Sequence, residues 1–276
     1  MTSRCIAIAF VLGGLALKAQ APATPQTSAA AQANAPIDLT GYWVSLVTED
    51  WRYRMLNAPK GDYYSIPLNA EGKHVADTWD PAKDIAEGKQ CLSYGAPNIM
   101  REPARLHISW QNNGLRVEID AGKQIRLFQF GAATPAGEPS PQGFSVAQWQ
   151  TPQSIRAYTS KISAQDPNTP GFRDASMASP PSPPDTRRLG GTLKVVTTRI
   201  KPGYIRNNGV PFSANAVVTE YYDLHKAGNS EYLVQMQVLE DPRYLDAPWV
   251  VSNHFRREPD GSKWDPQPCE LVLPSK

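Results

Sequence analysis

Proline and glycine recur so often along this chain that long helices are excluded. The sequence has 26 prolines and 19 glycines among 276 residues, and a proline inside a helix removes a hydrogen bond and clashes with the preceding turn. Between these residues lie short runs in which apolar and polar side chains alternate with a period of two, as in half-buried strands. The predicted strands are Gly41–Val47, Arg105–Trp110, Leu115–Asp120, Lys123–Phe130, Gly143–Gln150, Thr192–Ile200, Ala214–Leu224, Tyr232–Leu239 and Trp249–Arg256.

Short turns join several of these runs, which is typical of an antiparallel meander. Arg105–Trp110 and Leu115–Asp120 flank the letters QNNG, in which Asn and Gly tolerate the positive φ of a hairpin turn. Only Asn69–Thr78 and Asp80–Gly88 are predicted to be helical, and both are short. The pattern therefore predicts an all-β chain, an antiparallel barrel of about nine strands, and barrels of this size commonly enclose a ligand cavity.

The first 36 residues differ in composition from the rest. MTSRCIAIAFVLGGLALKAQA has a basic residue, an apolar run shorter than a membrane span and a small-residue end, so residues 1–21 are predicted to be a signal peptide. Residues 22–36 are predicted to be a disordered tether because they lack large apolar side chains. A single β-barrel domain is expected over 37–276, with a Pro-rich loop inserted at 166–188. The mature protein is expected to be periplasmic or secreted, with no transmembrane span after cleavage.

Charge and cysteine content limit the partners. The 28 basic and 26 acidic residues nearly cancel, so no nucleic-acid partner is expected. An exported chain would retain Cys91 and Cys269, and in an oxidising compartment such a pair predicts a disulfide. No histidine, cysteine or glycine spacing matches a metal or cofactor motif, so neither is predicted.

Alternation places polar side chains on strand faces that also carry large apolar ones. Glu220 shares a face with Tyr222, Arg126 shares a face with Phe128, and Gln235 lies on a neighbouring strand. If these faces point inward, Glu220 and Arg126 either pair or bind a ligand, because an unpaired buried charge is costly. In the alternative, the opposite faces are internal, with Val234, Met236 and Val238 on one strand and Val217, Thr219 and Tyr221 on another.

The stretch WVSLVTEDWRYRM (43–55) concentrates acids, arginines and aromatic rings after the first strand. Trp51, Tyr53 and the nearby Tyr64 are candidates for ligand contact, together with Tyr222 and Gln235. For acid–base chemistry, the candidate proton carriers are Asp50, Glu220 and either His107 or His254, with Arg126 stabilising a developing oxyanion. Local ion pairing and exposure on the barrel's outer face are the alternatives for these groups.

Three long phrases resemble an uncharacterised family of secreted proteins from acidobacteria and proteobacteria. They are GKQCLSYGAPNIMREPARLHISW (88–110), LKVVTTRIKPGYIRNNGVPFSANAVVTEYYDL (193–224) and LEDPRYLDAPWVVSNHFRREPDGSKWDPQPCE (239–270). The resemblance implies a lipocalin-like (calycin-type) β-barrel. It implies no reaction, ligand or catalytic residue.

Three functions remain open from the sequence. The first is an exported barrel that binds a small apolar or aromatic molecule in its cavity. The second is a cofactor-free enzyme, such as an isomerase, a lyase or hydratase, or a hydrolase, that uses acid–base residues in the cavity. The third is a structural or interaction protein of the cell envelope.

Overall fold

Nine strands close into a barrel, as the alternating runs predict. The computed structural model describes residues 27–111, 114–135, 137–151 and 191–271, so the expected signal peptide and the 166–188 loop lie outside the described residues. The barrel strands are β1 (Gly41–Leu46), β2 (Arg105–Gln111), β3 (Gly114–Ile119), β4 (Gln124–Phe130), β5 (Phe144–Gln150), β6 (Thr192–Thr198), β9 (Val217–Ala227), β10 (Ser230–Glu240) and β11 (Trp249–Glu258). Two short strands, β7 (Gly203–Tyr204) and β8 (Pro211–Phe212), form a separate pair.

The order around the barrel is β1-β11-β10-β9-β6-β5-β4-β3-β2, and β2 pairs with β1 to close it. All neighbours are antiparallel except β4 and β5, which pair in parallel with Phe128 opposite Ser145. The barrel is therefore mixed, and the expectation of a wholly antiparallel one is wrong at this pair. Residues 131–143 separate the two strands and are long enough to return the chain to the other end, whereas a tight hairpin would force antiparallel pairing.

Helix is sparse and short in the part of the chain that the structure describes. The helices are α1 (Ser28–Ala33), α2 (Trp51–Arg54), α3 (Ala70–Asp77) and α4 (Pro81–Ala86), with 3₁₀ turns at Leu92–Tyr94 and Ile99–Arg101. The α3 and α4 helices begin where side-chain caps predict them. Asn69 accepts a hydrogen bond from the Gly72 amide, and Asp80 accepts from the Ala82 amide before a proline at the first helical turn. No helix in the described part of the chain is long and apolar enough to cross a membrane.

The segment expected to be a disordered tether is ordered from Thr27 onward. Ala31 of α1 is fully buried in the barrel's hydrophobic core. Its carbonyl accepts a hydrogen bond of 2.9 Å from the indole nitrogen of Trp149. Small alanines suit this contact because they let the helix backbone approach the barrel end closely, and so a segment without large apolar residues still packs.

The opposite end of the barrel is covered by a cap, which we define as residues 47–104, 199–216 and 241–248. A second hydrophobic cluster joins the cap to the barrel: Ile205 and Phe212 from the cap pack with Val218, Leu239 and Trp249 at the strand ends. The amide of Gln237 on β10 donates to the Pro97 carbonyl at 2.7 Å. These contacts fix the cap loops relative to the barrel.

The predicted pair of cysteines is confirmed. Cys91 in the cap and Cys269 in the C-terminal tail form a disulfide with a Cα–Cα distance of 5.2 Å and a sequence separation of 178 residues. The tail is held further by Tyr94, whose hydroxyl donates to the Glu270 carbonyl at 3.1 Å. The C-terminal tail is therefore anchored to the cap.

Candidate functional site

Arg126 and Glu220 meet inside the barrel. Both side chains are fully buried, at 1% and 0% exposure. The guanidinium donates to both carboxylate oxygens, from Nη1 to Oε1 at 2.7 Å and from Nη2 to Oε2 at 2.5 Å. Burial disfavours the charge on Arg126, but the carboxylate of Glu220 reverses the effect and raises the arginine pKa. This bidentate geometry is the strongest form of an arginine–carboxylate pair.

Four further polar side chains hydrogen-bond to the pair or to its neighbours, while Arg126 Nε has no partner within the described residues. The Tyr222 hydroxyl and the Gln235 amide each donate to Glu220 Oε1 at 2.9 Å, and burial together with the Glu220 charge raises the pKa of Tyr222 well above its usual range. Asn253 donates to Gln235 Oε1 at 2.5 Å. Arg126 also donates to Thr197 Oγ1 at 3.2 Å. The inner-face interpretation of Glu220, Arg126, Tyr222 and Gln235 therefore matches their positions, and these groups hydrogen-bond to one another.

The two candidate histidines lie away from this interior network. His107 is on the outer wall, with Nδ1 2.9 Å from Glu118 Oε2 and its ring stacked on Tyr42 at 4.4 Å between centroids. His254 also points outward from β11, and its Nδ1 lies 3.0 Å from Glu49 Oε2. The structure thus separates the proton carriers that the acid–base hypothesis would combine.

Three buried arginines converge in the cap instead. We call Arg54, Arg101 and Arg206 the arginine cluster; their exposures are 8%, 2% and 3%. Arg54 lies at the end of α2, Arg101 ends the second 3₁₀ turn, and Arg206 lies in the loop between β7 and β8. Folding brings the three together because their segments all cover the same end of the barrel.

Arg54 and Arg101 are tied to the acids of the EDWRYR stretch. Arg54 Nη1 donates to Glu49 Oε1 and Arg101 Nη2 donates to Asp50 Oδ2, both at 2.9 Å. Arg54 Nε also donates to the Arg101 carbonyl at 2.8 Å. Asp50 adopts the left-handed conformation with φ of 52°, which aspartate tolerates better than most residues. His254 is linked to the cluster through Glu49.

Arg206 lies against aromatic rings. Its guanidinium carbon is 4.0 Å from the centroid of Tyr53 and 5.9 Å from that of Trp249, while Arg101 is 5.0 Å from the same Trp249 ring. Arg206 Nη1 donates to the Tyr64 carbonyl at 2.9 Å, and Nη2 donates to Ser65 Oγ at 3.0 Å. Stacking of this kind holds a guanidinium plane in a fixed orientation.

Two donors of the cluster are left over. Arg101 Nη1 and Arg206 Nε are buried and have no hydrogen-bond partner within the described residues. Burial lowers the pKa of Arg206 to about 10, and the positive charge of Arg101 lowers it further. Burial likewise lowers the pKa of Arg101. Buried donors without partners are rare and call for a physical explanation.

Glu102 follows Arg101 and completes the site. The carboxyl group is half-buried, and its Oε1 accepts hydrogen bonds from Asn98 at 2.6 Å and Asn207 at 3.2 Å. Burial raises the pKa of Glu102 to about 7, although both amides and the charges of Arg101 and Arg54 act in the opposite direction. A carboxyl group with this pKa exchanges its proton near neutral pH.

The sequence predicted part of this site and missed the rest. Asp50 and Tyr53 do contact the arginine cluster, whereas Trp51 and Tyr64 lie nearby in the chain with side chains 60% and 75% exposed. No sequence pattern pointed to Arg101, Glu102, Arg206 or Trp249. No shared spacing marks them: Arg101 and Glu102 follow Asn98 in one turn, Arg206 precedes two asparagines in the β7–β8 loop, and Trp249 begins β11. Among the described residues no group of three or more His, Cys, Asp or Glu side chains is arranged to hold a metal ion.

Fold and site together define a closed, capped β-barrel with a buried arginine cluster at the capped end. Comparisons with protein-family models, with curated proteins and with solved structures found no match. The resemblance to secreted bacterial barrels therefore stays an expectation, and function has to be argued from the site.

Proposed function

We propose that this protein is an exported binding protein that takes a small organic anion with an apolar or aromatic body at the arginine cluster. The observation that carries the proposal is the pair of unpartnered buried donors, Arg101 Nη1 and Arg206 Nε. A carboxylate or a similar oxyanion supplies acceptors for both. Hydrogen bonds to a charged acceptor in a buried site are stronger than those between neutral groups.

Charge balance supports an anionic ligand. Three guanidinium groups are buried here, while Glu49 and Asp50 supply two paired carboxylates and Glu102 has a pKa near 7. The guanidinium groups depress one another's pKa, as the effect of Arg101 on Arg206 illustrates. A bound anion relieves this repulsion and restores the ordinary preference of arginine for the charged state.

The neighbouring rings favour an apolar or aromatic body on the ligand. Tyr53 and Trp249 already flank the guanidinium of Arg206, and the Trp51 side chain is 60% exposed one turn before Arg54. Aromatic rings beside a few fixed polar groups are typical of small-molecule sites. This proposal keeps the apolar or aromatic ligand that the sequence suggests but moves it from the barrel interior to the cap.

The interior network is a weaker candidate for the ligand. Arg126 Nε also lacks a partner within the described residues, but Arg126 and Glu220 use their charges on each other, and Tyr222 and Gln235 use their donors on Glu220. A ligand there would have to break a fully buried ion pair, which typically costs several kcal/mol.

A matched pair of arginine variants tests the proposal. Isothermal titration and tryptophan fluorescence would measure binding of aromatic and aliphatic carboxylates, each compared with its neutral amide. We expect carboxylates to bind the wild type and Arg256→Gln, since Arg256 is exposed on the outer wall, and to bind Arg206→Gln at least about 10-fold more weakly, the effect of losing about 1.4 kcal/mol. Trp51→Ala is a second test of ligand contact. Because the Trp51 side chain is exposed, this variant should fold as the wild type does. Equal binding of carboxylates and amides, or no binding of any carboxylate, would overturn the proposal.

Export rests on the N-terminal composition, and the disulfide between Cys91 and Cys269 is compatible with it. Expression of the full chain in a bacterium with a periplasm, followed by intact-mass measurement, tests this part. We expect a periplasmic product shortened by about 21 residues, in line with the plan of signal peptides. A full-length cytoplasmic product with free thiols would contradict it.

Glu102 favours acid–base catalysis as a second candidate function. Its Oε1 is fixed by two amides, its pKa is about 7, and buried guanidinium groups lie beside it to stabilise a developing oxyanion. The corresponding test is proton–deuterium exchange, followed by NMR, at carbon next to the carbonyl of 2-oxo acids in D₂O. Exchange that disappears in Glu102→Gln while carboxylate binding persists would support catalysis; exchange at the rate of buffer alone would exclude it for these substrates.

A further inference from the structure

A cleft lies on the cap, between the α3–α4 segment and the loop that follows β7. Its volume is about 230 Å³, which suits a ligand of only a few heavy atoms. The lining includes Trp79, Asp84, Tyr204 and Gly209. None of these residues belongs to the arginine cluster or to the interior network.

Asp84 is the buried charged group of the cleft, whereas the other charged residues of the lining are exposed. The Asp84 residue is only 8% exposed. Carboxylate oxygen Oδ2 accepts both protein hydrogen bonds, from Trp79 Nε1 at 3.0 Å and from the Tyr204 hydroxyl at 2.8 Å. Oδ1 accepts no side-chain hydrogen bond from the described residues, so one oxygen of a nine-tenths buried carboxylate is available in the cleft.

Two aromatic rings form walls around this carboxylate. Trp79 and Tyr204 pack edge to face, with centroids 6.4 Å apart. Gly209, at a φ of +83°, lies so close to Trp79 that a Cβ there would come within 2.1 Å of the ring. This contact holds the indole in place, and only glycine permits it. Burial and the hydrogen bond to Asp84 raise the pKa of Tyr204 above its usual range, so the ring stays neutral.

The two lysines at the cleft are exposed to solvent and lie near the carboxylate of Glu87. Lys89 pairs with Glu87 at 2.5 Å and Lys83 lies 4.0 Å from the same carboxylate, with lysine side chains 52% and 70% exposed. The remaining acid, Asp80, caps α4 and is exposed. The inner part of the cleft therefore combines the Asp84 charge with two aromatic faces.

We propose that this cleft binds a small ammonium compound, with Asp84 as counter-ion and Trp79 and Tyr204 as cation–π walls. A carboxylate beside tryptophan and tyrosine is the chemistry that recognises primary or quaternary ammonium groups. A neutral side-chain amide in place of Asp84 would accept the same two hydrogen bonds, so these bonds alone do not require a carboxylate. Among the described residues Asp84 forms no direct ion pair and its Oδ1 accepts no side-chain hydrogen bond, although the exposed Lys89 at the rim interacts with its charge.

Choline and its neutral isostere 3,3-dimethyl-1-butanol test the charge requirement. Titration at constant ionic strength, followed by calorimetry and by the indole N–H resonances in NMR spectra, would compare the two on the wild type. We expect choline to bind, and the neutral alcohol to bind at least 10-fold more weakly. Equal binding of both, or no binding of choline and ethanolamine up to about 50 mM, a concentration far above the 1 mM dissociation constant of a weak site, would overturn the proposal.

Asp84→Asn tests the residue. The amide oxygen still accepts from Trp79 and Tyr204 while the charge is gone, so we expect an unchanged fold and at least 10-fold weaker choline binding. Glu71→Gln is the matched control because Glu71 is exposed on the neighbouring helix α3, and it should bind as the wild type does. If Asp84→Asn does not fold, the wild-type spectrum decides: choline must shift the Trp79 indole resonance and leave that of Trp249 in place. Wild-type affinity in Asp84→Asn, or a shift at Trp249 alone, would contradict the site.

Discussion

Glu102 couples the stability of the fold to pH. Its pKa is about 7 in the folded protein and 4.5 in an exposed reference, so the folded state holds this proton between the two values and the unfolded state does not. For an acid with a raised pKa, stability is highest below about pH 4.5 and falls as pH rises to about 7. Glu102→Gln removes the ionisation and retains the acceptor for Asn98 and Asn207. We expect the variant to gain on the order of 1–3 kcal/mol over the wild type between pH 4.5 and 8.

Urea denaturation of both proteins across this pH range measures the difference. Glu71→Gln is a suitable control because its carboxylate is exposed. A stability difference that stays constant from pH 4.5 to 8 would show that Glu102 titrates normally.

The ion pair inside the barrel makes a second residue-scale prediction. Glu220→Gln leaves the guanidinium of Arg126 buried without a counter-ion, and such a loss typically costs about 3–5 kcal/mol. Arg126→Met combined with Glu220→Gln removes both charges and retains an acceptor for Tyr222 and Gln235. We expect the double variant to be more stable than Glu220→Gln alone, as a double-mutant cycle in urea would measure. A single variant within about 0.5 kcal/mol of the wild type, the size of an ordinary surface effect, would contradict a charged pair.

Alternation divides the side chains of a strand between two faces but does not say which face points into the barrel. On β10 the alternating Val234, Met236 and Val238 read as the more apolar face, yet Met236 is 41% exposed while Gln235 and Gln237 are fully buried. The two glutamines are stable inside because Glu220, Asn253 and the Pro97 carbonyl satisfy them. Those partners come from other strands and from the cap, so no local pattern reveals them.

At the scale of elements, α1 shows what a composition rule overlooks. A segment of alanine, glutamine and serine is too weakly apolar to form a core, but it can cover an existing one. A chain that starts at Ile37 should lose the buried Ala31 and leave the Trp149 indole without its acceptor. We expect a loss of about 1–3 kcal/mol from the hydrogen bond and the buried area together, with a red shift of tryptophan fluorescence.

A chain starting at Thr27 is the control for that truncation. Two point variants separate the helix's packing from its mere presence: Ala31→Leu should destabilise by overfilling the contact, while Gln32→Ala lies on the exposed side and should not. Equal stability of both truncated chains would show that α1 adds nothing to the barrel.

The β4–β5 pair illustrates the other limit at this scale. Alternation predicted both strands within one residue of their observed bounds, but strand direction depends on where the 131–143 segment leads the chain. That path is set by contacts such as the Ala96 amide donating to the Pro141 carbonyl at 2.9 Å. Long connections therefore have to be seen in three dimensions before parallel and antiparallel pairing can be distinguished.

At the scale of the whole molecule, the barrel was predictable and the candidate site was not. Period-two alternation repeats in nine strands and is robust to errors in any one of them. The arginine cluster is assembled from α2, a 3₁₀ turn and the β7–β8 loop, which are far apart in sequence and have no shared period. The sequence draws attention to Asp50 and Tyr53, together with Glu49 and Arg54, because acids, arginines and rings crowd the one segment that contains them.

The cap and the barrel should unfold as one unit, because the second hydrophobic cluster spans both. Phe212 of the cap is 1% exposed and packs in the cluster that also contains Val218 and Leu239 of the barrel. Phe212→Ala should cost about 3–5 kcal/mol and shift the unfolding transitions seen by far-UV circular dichroism and by tryptophan fluorescence to lower urea together. Tyr64 is 75% exposed in the same cap, so Tyr64→Ala should shift neither transition. Native-state hydrogen exchange gives the sharper readout: cap amides near Arg101 should exchange with the same free energy as the strands of the barrel. If Phe212→Ala accelerated exchange only in the cap, the arginine cluster would be held by a separately unfolding cap, and anion binding would then stabilise the cap without raising the unfolding free energy of the barrel strands.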